Sequence, residues 1–208
     1  PERIVTFGNG VETGRIRNRD DYSLGRPARL LYVGRLHAQK NLDTLLRAIC
    51  LLADDPAHSL ELRLVGDGPA RAELVALAGR LGLDDQVTFC GQSDRVREEL
   101  AAADIFVLPS QAEGLSNALL EAMAAALPVV VSDIPGNVDV IDHTHNGLLF
   151  RVGDPHDLAE NLATLLDHET LRCRLGQTAR QTVEEHFSLD SIAQHYVNLY
   201  EQVVRVTV

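Results

Sequence analysis

Six short, largely apolar runs recur along this chain, at 30–34, 61–65, 87–90, 104–108, 128–132 and 147–150, with longer stretches of helical periodicity between them. Leu30-Leu31-Tyr32-Val33 and Pro128-Val129-Val130-Val131 are apolar at every position, not at every second one. A strand of that kind has to be covered on both faces, which is the situation of a parallel sheet lying between helices. The pattern predicts an α/β fold with a Rossmann-like, doubly wound parallel sheet. In such a sheet the loops leaving the C-terminal strand ends share one rim, and ligands bind there. Those loops are 34–41, 66–69, 91–94, 109–116 and 133–136.

The helices are punctuated by their own signals. Asn41 precedes a stripe of Leu42, Leu45, Leu46, Ile49 and Leu52; Pro69 opens a run carrying Leu74, Leu77 and Leu81, which Gly82 ends. Asp154-Pro155 reads as an N-cap followed by proline at the first helical position, starting a helix over 155–167. Further helices are expected over 170–185 and from Ser188, where Ile192, Tyr196, Leu199, Tyr200 and Val203 form one stripe. Upstream, Ile4 to Phe7 is strand-like, Asn9-Gly10 is a turn signal, and 11–29 is polar and unpatterned.

Charge narrows the function classes. With 19 Lys and Arg against 30 Asp and Glu, the formal net charge is −11. That balance speaks against nucleic acid, whose affinity comes from neutralising phosphates. A site for a smaller phosphate ligand has to be locally positive, so the placing of the few cations is informative. Lys40 is the only lysine in the chain, which hints that a compact point charge is wanted in its loop. No apolar run approaches the roughly 18 residues of a membrane span. Cys50, Cys90 and Cys173 show no C-x-x-C spacing; they fit a reducing cytoplasm and read as small buried hydrophobes.

Two rim loops carry the chemistry. Glu113-Gly-Leu-Ser-Asn-Ala-Leu-Leu-Glu121 follows the strand at 104–108 and opens a helical run from Ala118 to Ala126. With Ser116 or Asn117 as N-cap, the free N–H groups and positive dipole end of that helix face an anion site in front of the sheet. Glu113 lies on the loop and Glu121 in or just after the first turn, two carboxylates around one ligand. In the other loop Gly34 lets a phosphate approach the backbone. Arg35 can fork onto two phosphate oxygens while Lys40 neutralises a third.

Gly34-Arg35-Leu36-His37-Ala38-Gln39-Lys40-Asn41 and the text from Pro109 to Asp133 together resemble the retaining glycosyltransferases of family GT4, the glycogen-synthase-like and sucrose-synthase-like superfamily with its E-x7-E signature. The likeness covers nearly the whole chain, from about Asn9 to about Val203. It implies one half of a GT-B fold, the half that binds a nucleotide-sugar donor. Positions matching Arg35 and Lys40 hold the donor diphosphate, and Glu113 meets hydroxyls of the donor sugar beside its anomeric carbon. Gly34, Gly114, Leu115, Ser116, Asn117 and Leu120 complete the donor site. Glu121 holds ribose hydroxyls, and Val87, Thr88 and Phe89 line the base.

The resemblance also implies a partition: 1–29 as linker and start of the domain, 30–187 as the donor-binding unit, and 188–208 as a helix returning toward an N-terminal, acceptor-binding domain. The chain starts at Pro1 and its sole methionine is Met123, so the start reads as a cut. Any membrane contact would then belong to that other half. No D-x-D stands at a strand end, so neither metal nor cofactor is expected, the sugar nucleotide being substrate; leaving-group charge would fall to Arg35, Lys40 and the helix end. Two other readings use the same residues: a GT-B-type nucleotide-sugar epimerase, and a nucleotide-sugar-binding domain without turnover.

Three smaller features complete the sequence. Gly66-Asp67-Gly68 lacks the third glycine of a dinucleotide fingerprint, because Pro69-Ala70-Arg71 follows, and NAD is rejected. His143 and His145 without a third ligand read as surface residues, whereas His37, inside the phosphate loop, reads equally as a contact to donor or acceptor and as an exposed loop residue. Leu127 and Asp139 depart from the family's commoner Gly and Glu.

Overall fold

The computed structural model describes residues 8–53, 55 and 57–206, the last four as backbone only. The strand expected at 4–7 and the side chain of Val203 lie outside the described residues. All six strands expected from apolar runs are present: β1 (Ala28–Val33), β2 (Leu60–Val65), β3 (Val87–Gly91), β4 (Ile105–Leu108), β5 (Val129–Ser132) and β6 (Leu148–Phe150). They form one sheet in the order β3-β2-β1-β4-β5-β6, every neighbouring pair parallel. β4 and β5 are buried at every position, whereas β3, at the sheet edge, exposes Thr88. The continuous apolar runs thus mark strands covered on both faces.

Helices α1 (Leu42–Ala53), α2 (Arg71–Arg80), α3 (Val96–Ala102), α4 (Asn117–Ala124), α5 (Pro135–Val138), α6 (Pro155–Asp167), α7 (Glu169–His186) and α8 (Leu189–Val206) complete the described chain. α1 packs on α2 and α6, and α4 on α7. Asp154 caps α6 as its sequence predicts, accepting the His156 and Asp157 N–H groups at 3.0 and 3.1 Å. Two boundaries differ. α2 starts at Arg71 with Ala70 as N-cap, whose N–H donates to Leu36 O at 3.0 Å in the neighbouring rim loop. α4 stops at Ala124, because Ala126 turns left-handed with φ 57°. Its freed carbonyls find other donors: Arg19 N–H reaches Ala125 O at 3.1 Å and Tyr22 Oη reaches Ala126 O at 3.0 Å. No helix among the described residues is long and apolar enough to cross a membrane.

The unpatterned stretch 11–29 is packed against the body by polar contacts, which apolar periodicity does not report. Val11, Ile16 and Tyr22 are buried. The buried Arg172 guanidinium donates to Tyr22 O and to Leu165 O, and Arg180 donates to Ile16 O and Ala124 O. Val11 also bridges Ser188, with Val11 N–H on Phe187 O and Leu189 N–H on Val11 O. Asp104, buried at the foot of β4, accepts from Arg19 Nη2 at 2.6 Å and from the Arg29 N–H at 2.8 Å. Asp104→Ala leaves a largely buried guanidinium without its carboxylate, and is expected to lower the unfolding free energy by about 2–4 kcal/mol. Urea denaturation measures this, and an unchanged midpoint would show that Asp104 does not hold the 11–29 stretch to the body.

Candidate functional site

β1 and β4 are neighbours at the centre of the sheet, the point where the strand order reverses. The chain leaves their C-terminal ends into two loops that diverge around a crevice. The loops are tied together: Gln111 N–H donates to Gln39 O at 2.8 Å and Gln39 Nε2 to Ala112 O at 2.8 Å. Across this tie Lys40 Nζ meets Glu113 Oε1 at 2.6 Å, although 73 positions separate the two residues. Ser110 Oγ donates to the same carboxylate oxygen at 2.6 Å. The side chains of Lys40 and Glu113 are only 22% and 10% exposed, so this is a held pair and not a loose surface contact.

The first loop is built for rigidity. His37 Nδ1 accepts the Gln39 N–H at 3.2 Å, capping a single 3₁₀ turn, Ala38–Lys40, that Asn41 ends with φ 53°. The Nδ1 of His37, a residue for which the sequence offered contact with donor or acceptor and plain exposure as equal alternatives, is thus engaged in shaping the loop. Tyr32 Oη donates to Arg35 O at 3.1 Å. Burial first, and the Glu113 carboxylate second, push its phenol well above the ordinary range and keep it a donor. Gly66, with φ +136°, lies against Gly34 so closely that a Cβ there would be 2.9 Å from the Gly34 carbonyl carbon. The glycines rejected as a dinucleotide fingerprint therefore let the end of β2 back the 34–41 loop.

Gly34 and Arg35 line a cleft of about 810 Å³ over the ends of β1, β2 and β3, whose far wall is Gln92, Ser93 and Val96. Past the end of β4, Ser116 caps α4, its Oγ accepting the Leu119 N–H at 3.4 Å. Gly114 and Asn117 are exposed beside it, with Leu115 half-buried. Asn9 Nδ2 donates to Asn117 Oδ1 at 2.9 Å. Glu121, one turn along α4, faces a second hollow of about 210 Å³ that also holds Asn117 and Arg97. Burial pushes the Glu121 carboxyl above its ordinary value, and the Arg97 guanidinium offsets part of this. Val96 and Arg97 are consecutive, so the start of α3 divides one hollow from the other.

The structure thus gathers Gly34, Arg35, Lys40, Glu113, Gly114, Leu115, Ser116, Asn117 and Glu121 along one rim. Four residues expected in the site are placed elsewhere. Leu120 is fully buried in the core and its N–H is spent on Ser116 O, since it follows the apolar stripe of α4 and not the Asn117–Glu121 face. Val87 and Thr88 open β3 at the end away from the rim, and Val87 is buried against the core. Phe89 packs partly on the core with Arg71 over its ring. Gln92 and Ser93, one step past the strand, line the cleft instead. Ser110, Tyr32, Asn9, Arg97 and Gly136 are further members that the sequence reading passed over. Away from the rim, His143 Nδ1 accepts the Leu149 N–H at 2.9 Å, which makes it a turn residue. Among the described residues no group of three His, Cys, Asp or Glu side chains is placed to hold a metal ion.

The comparisons with known proteins agree with this fold. The family model for glycosyl transferases group 1 matches residues 27–168. The chain is 32% identical over 176 residues to the N-acetyl-alpha-D-glucosaminyl L-malate synthase of Bacillus anthracis, a match covering 85% of this chain and 46% of the relative. Sucrose-phosphate synthase from Thermosynechococcus elongatus superposes with a TM-score of 0.84 at 28% identity, over 95% of this chain and 52% of that one. Anabaena HepE, solved in complex with UDP-glucose, superposes with a TM-score of 0.77 at 25% identity, over 84% and 48%. The chain spans about half the length of the curated relatives it matches. On its sheet, its rim and these matches, the chain belongs to the glycosyl transferases of group 1.

Proposed function

We propose that this chain is the donor-binding part of a retaining, metal-independent glycosyltransferase of the GT4 type, which moves a sugar from a nucleoside diphosphate to an acceptor. The observation that carries the reading is the Lys40–Glu113 contact at the strand-reversal point. It puts a cation suited to phosphate and a carboxylate suited to hydroxyls side by side, next to the capped N-terminus of α4. When the bond from sugar to phosphate breaks, its electron pair leaves on the diphosphate. Arg35, Lys40 and the helix end would neutralise that charge without reorganising. Glu113 would hold the sugar and Glu121 the ribose, a diol being well matched to a carboxylate that accepts two hydrogen bonds.

A nucleoside diphosphate is supported as ligand by the UDP-glucose held by the Anabaena relative. Retention of configuration rests on the E-x7-E likeness. Residues 30–187 are assigned to the donor-binding unit, 1–29 to its approach, and 188–208 to a helix reaching toward a second domain that binds the acceptor. The reaction is assigned to the cytoplasm, with any membrane contact made by that second domain.

Calorimetry with UDP, GDP, ADP and dTDP tests the reading. Lys40→Ala should weaken the best-bound nucleotide by about 1.5–3 kcal/mol, the worth of a charge-assisted contact. Glu121→Ala should weaken the free nucleotide and its sugar conjugate alike. Unchanged affinities would remove both residues from the site.

A further inference from the structure

Lys40 is already neutralised before any ligand arrives. Its ammonium lies 2.6 Å from Glu113 Oε1, and that carboxylate is fixed by the Ser110 hydroxyl at the same distance. With its side chain 10% exposed, Glu113 has little freedom to swing into water when a second anion comes to the same ammonium. On the donor-clamp reading, we infer that the Lys40–Glu113 pair distinguishes a loaded sugar nucleotide from the spent nucleoside diphosphate and disfavours the latter.

The chemistry of the two ligands makes the difference. An ionised carboxylate is acceptor-only, and so is an ionised diphosphate; the two offer each other no hydrogen bond and compete for one lysine. A sugar nucleotide brings hydroxyl donors to that place. They satisfy the lone pairs of Glu113, and the sugar ring keeps the phosphates apart from the carboxylate. Binding the loaded donor therefore leaves Glu113 partnered, whereas binding the spent nucleotide leaves it facing a like charge in a half-buried site, where screening is weak. The same carboxylate that holds the sugar thus helps expel the product once the sugar has gone.

The test is calorimetry on the wild-type chain and on Glu113→Gln, which keeps the shape and the acceptor for Ser110 but removes the charge. The ligands are whichever of UDP, GDP, ADP and dTDP binds best, and the corresponding glucose conjugate. Glu113→Gln should bind the free diphosphate about tenfold more tightly and the conjugate no more tightly, so that the wild-type preference for the conjugate shrinks about tenfold or more. If the wild type binds none of the four nucleotides, the donor-clamp reading itself fails. If the wild type binds and a folded Glu113→Gln holds the free diphosphate no better, the discrimination fails while the clamp stands. Thermal melting reports whether the variant folds. Should it not, Lys40→Met and Lys40→Met/Glu113→Gln provide the same comparison: removing the carboxylate should restore part of the affinity that Lys40→Met loses, and a double variant no better than Lys40→Met would overturn the inference.

Discussion

Gly136→Ala is expected to reduce affinity for the sugar nucleotide by at least about tenfold in a chain that still folds, even though Gly136 carries no side chain to offer a ligand. The residue is buried in α5, with its backbone pressed against the loop that holds Glu113. A Cβ built there would be 2.8 Å from the Glu113 carbonyl carbon and closer still to the carbonyl oxygens of Glu113 and Gly114. Backbone cannot yield as a flexible side chain does, so either α5 or the donor loop has to move, at a cost of about 1–3 kcal/mol for overpacking. The loop is the freer of the two, because Gly114 is exposed and Asn137 is locked into Ser132 by its amide at 2.8 Å. Displacement of about 1 Å is enough to cost orders of magnitude in a positioned site. Gly66→Ala should act in the same way on the Gly34 loop, with the added strain of φ +136°. Gly14→Ala is the control, since nothing lies within 4 Å of a Cβ placed there. Wild-type affinity in Gly136→Ala would show that the two backbones do not constrain each other.

These contacts mark what could and could not be read from the chain. The strands were legible because coverage on both faces leaves a trace at every position of a short run, as in Val129-Val130-Val131. The positions of Arg35, Lys40, Glu113 and Glu121 on the rim were legible because strand ends and a helix start are marked by local sequence. The residues lining the cleft at the end of β3 stand a few positions past those expected for the base, because a parallel strand delivers its C-terminal end to the rim: Gln92 and Ser93 are there and Val87 is not. Leu120 could have been set aside by period, since Asn117 and Glu121 are four apart and share a face it does not join. The Lys40–Glu113 pair, the hold of Ser110 on it, and Gly136 behind it depend on contacts between distant segments, and no local pattern reports them. The packing of 11–29 through Arg19, Arg172 and Arg180 is hidden likewise, because guanidinium groups on carbonyls produce no apolar period.

The chain by itself is expected to bind a sugar nucleotide and to transfer essentially no sugar from it. Its rim carries Arg35, Lys40, Glu113 and Glu121, and among the described residues no second α/β unit stands opposite as a facing wall. A wall of that kind is what would exclude water and hold an acceptor hydroxyl against the anomeric carbon. Positioning two reactants can supply about 7–11 kcal/mol of a barrier, an effective concentration of about 10⁵ M or more. Without it, the rate should fall by a factor of about 10⁵ or more while donor affinity is kept. Relatives about twice as long as the matched region leave room for such a wall in the proposed second domain. On the face of α8, Leu189, Val197 and Tyr200 expose large apolar surface, a place where that domain would gain contact area. The measurement is acceptor-dependent release of nucleotide from the best-bound sugar nucleotide, by this chain and by the chain fused to the second domain. Turnover by the chain alone at a rate near that of the fused protein would mean that one wall suffices, and the two-domain reading would have to be given up.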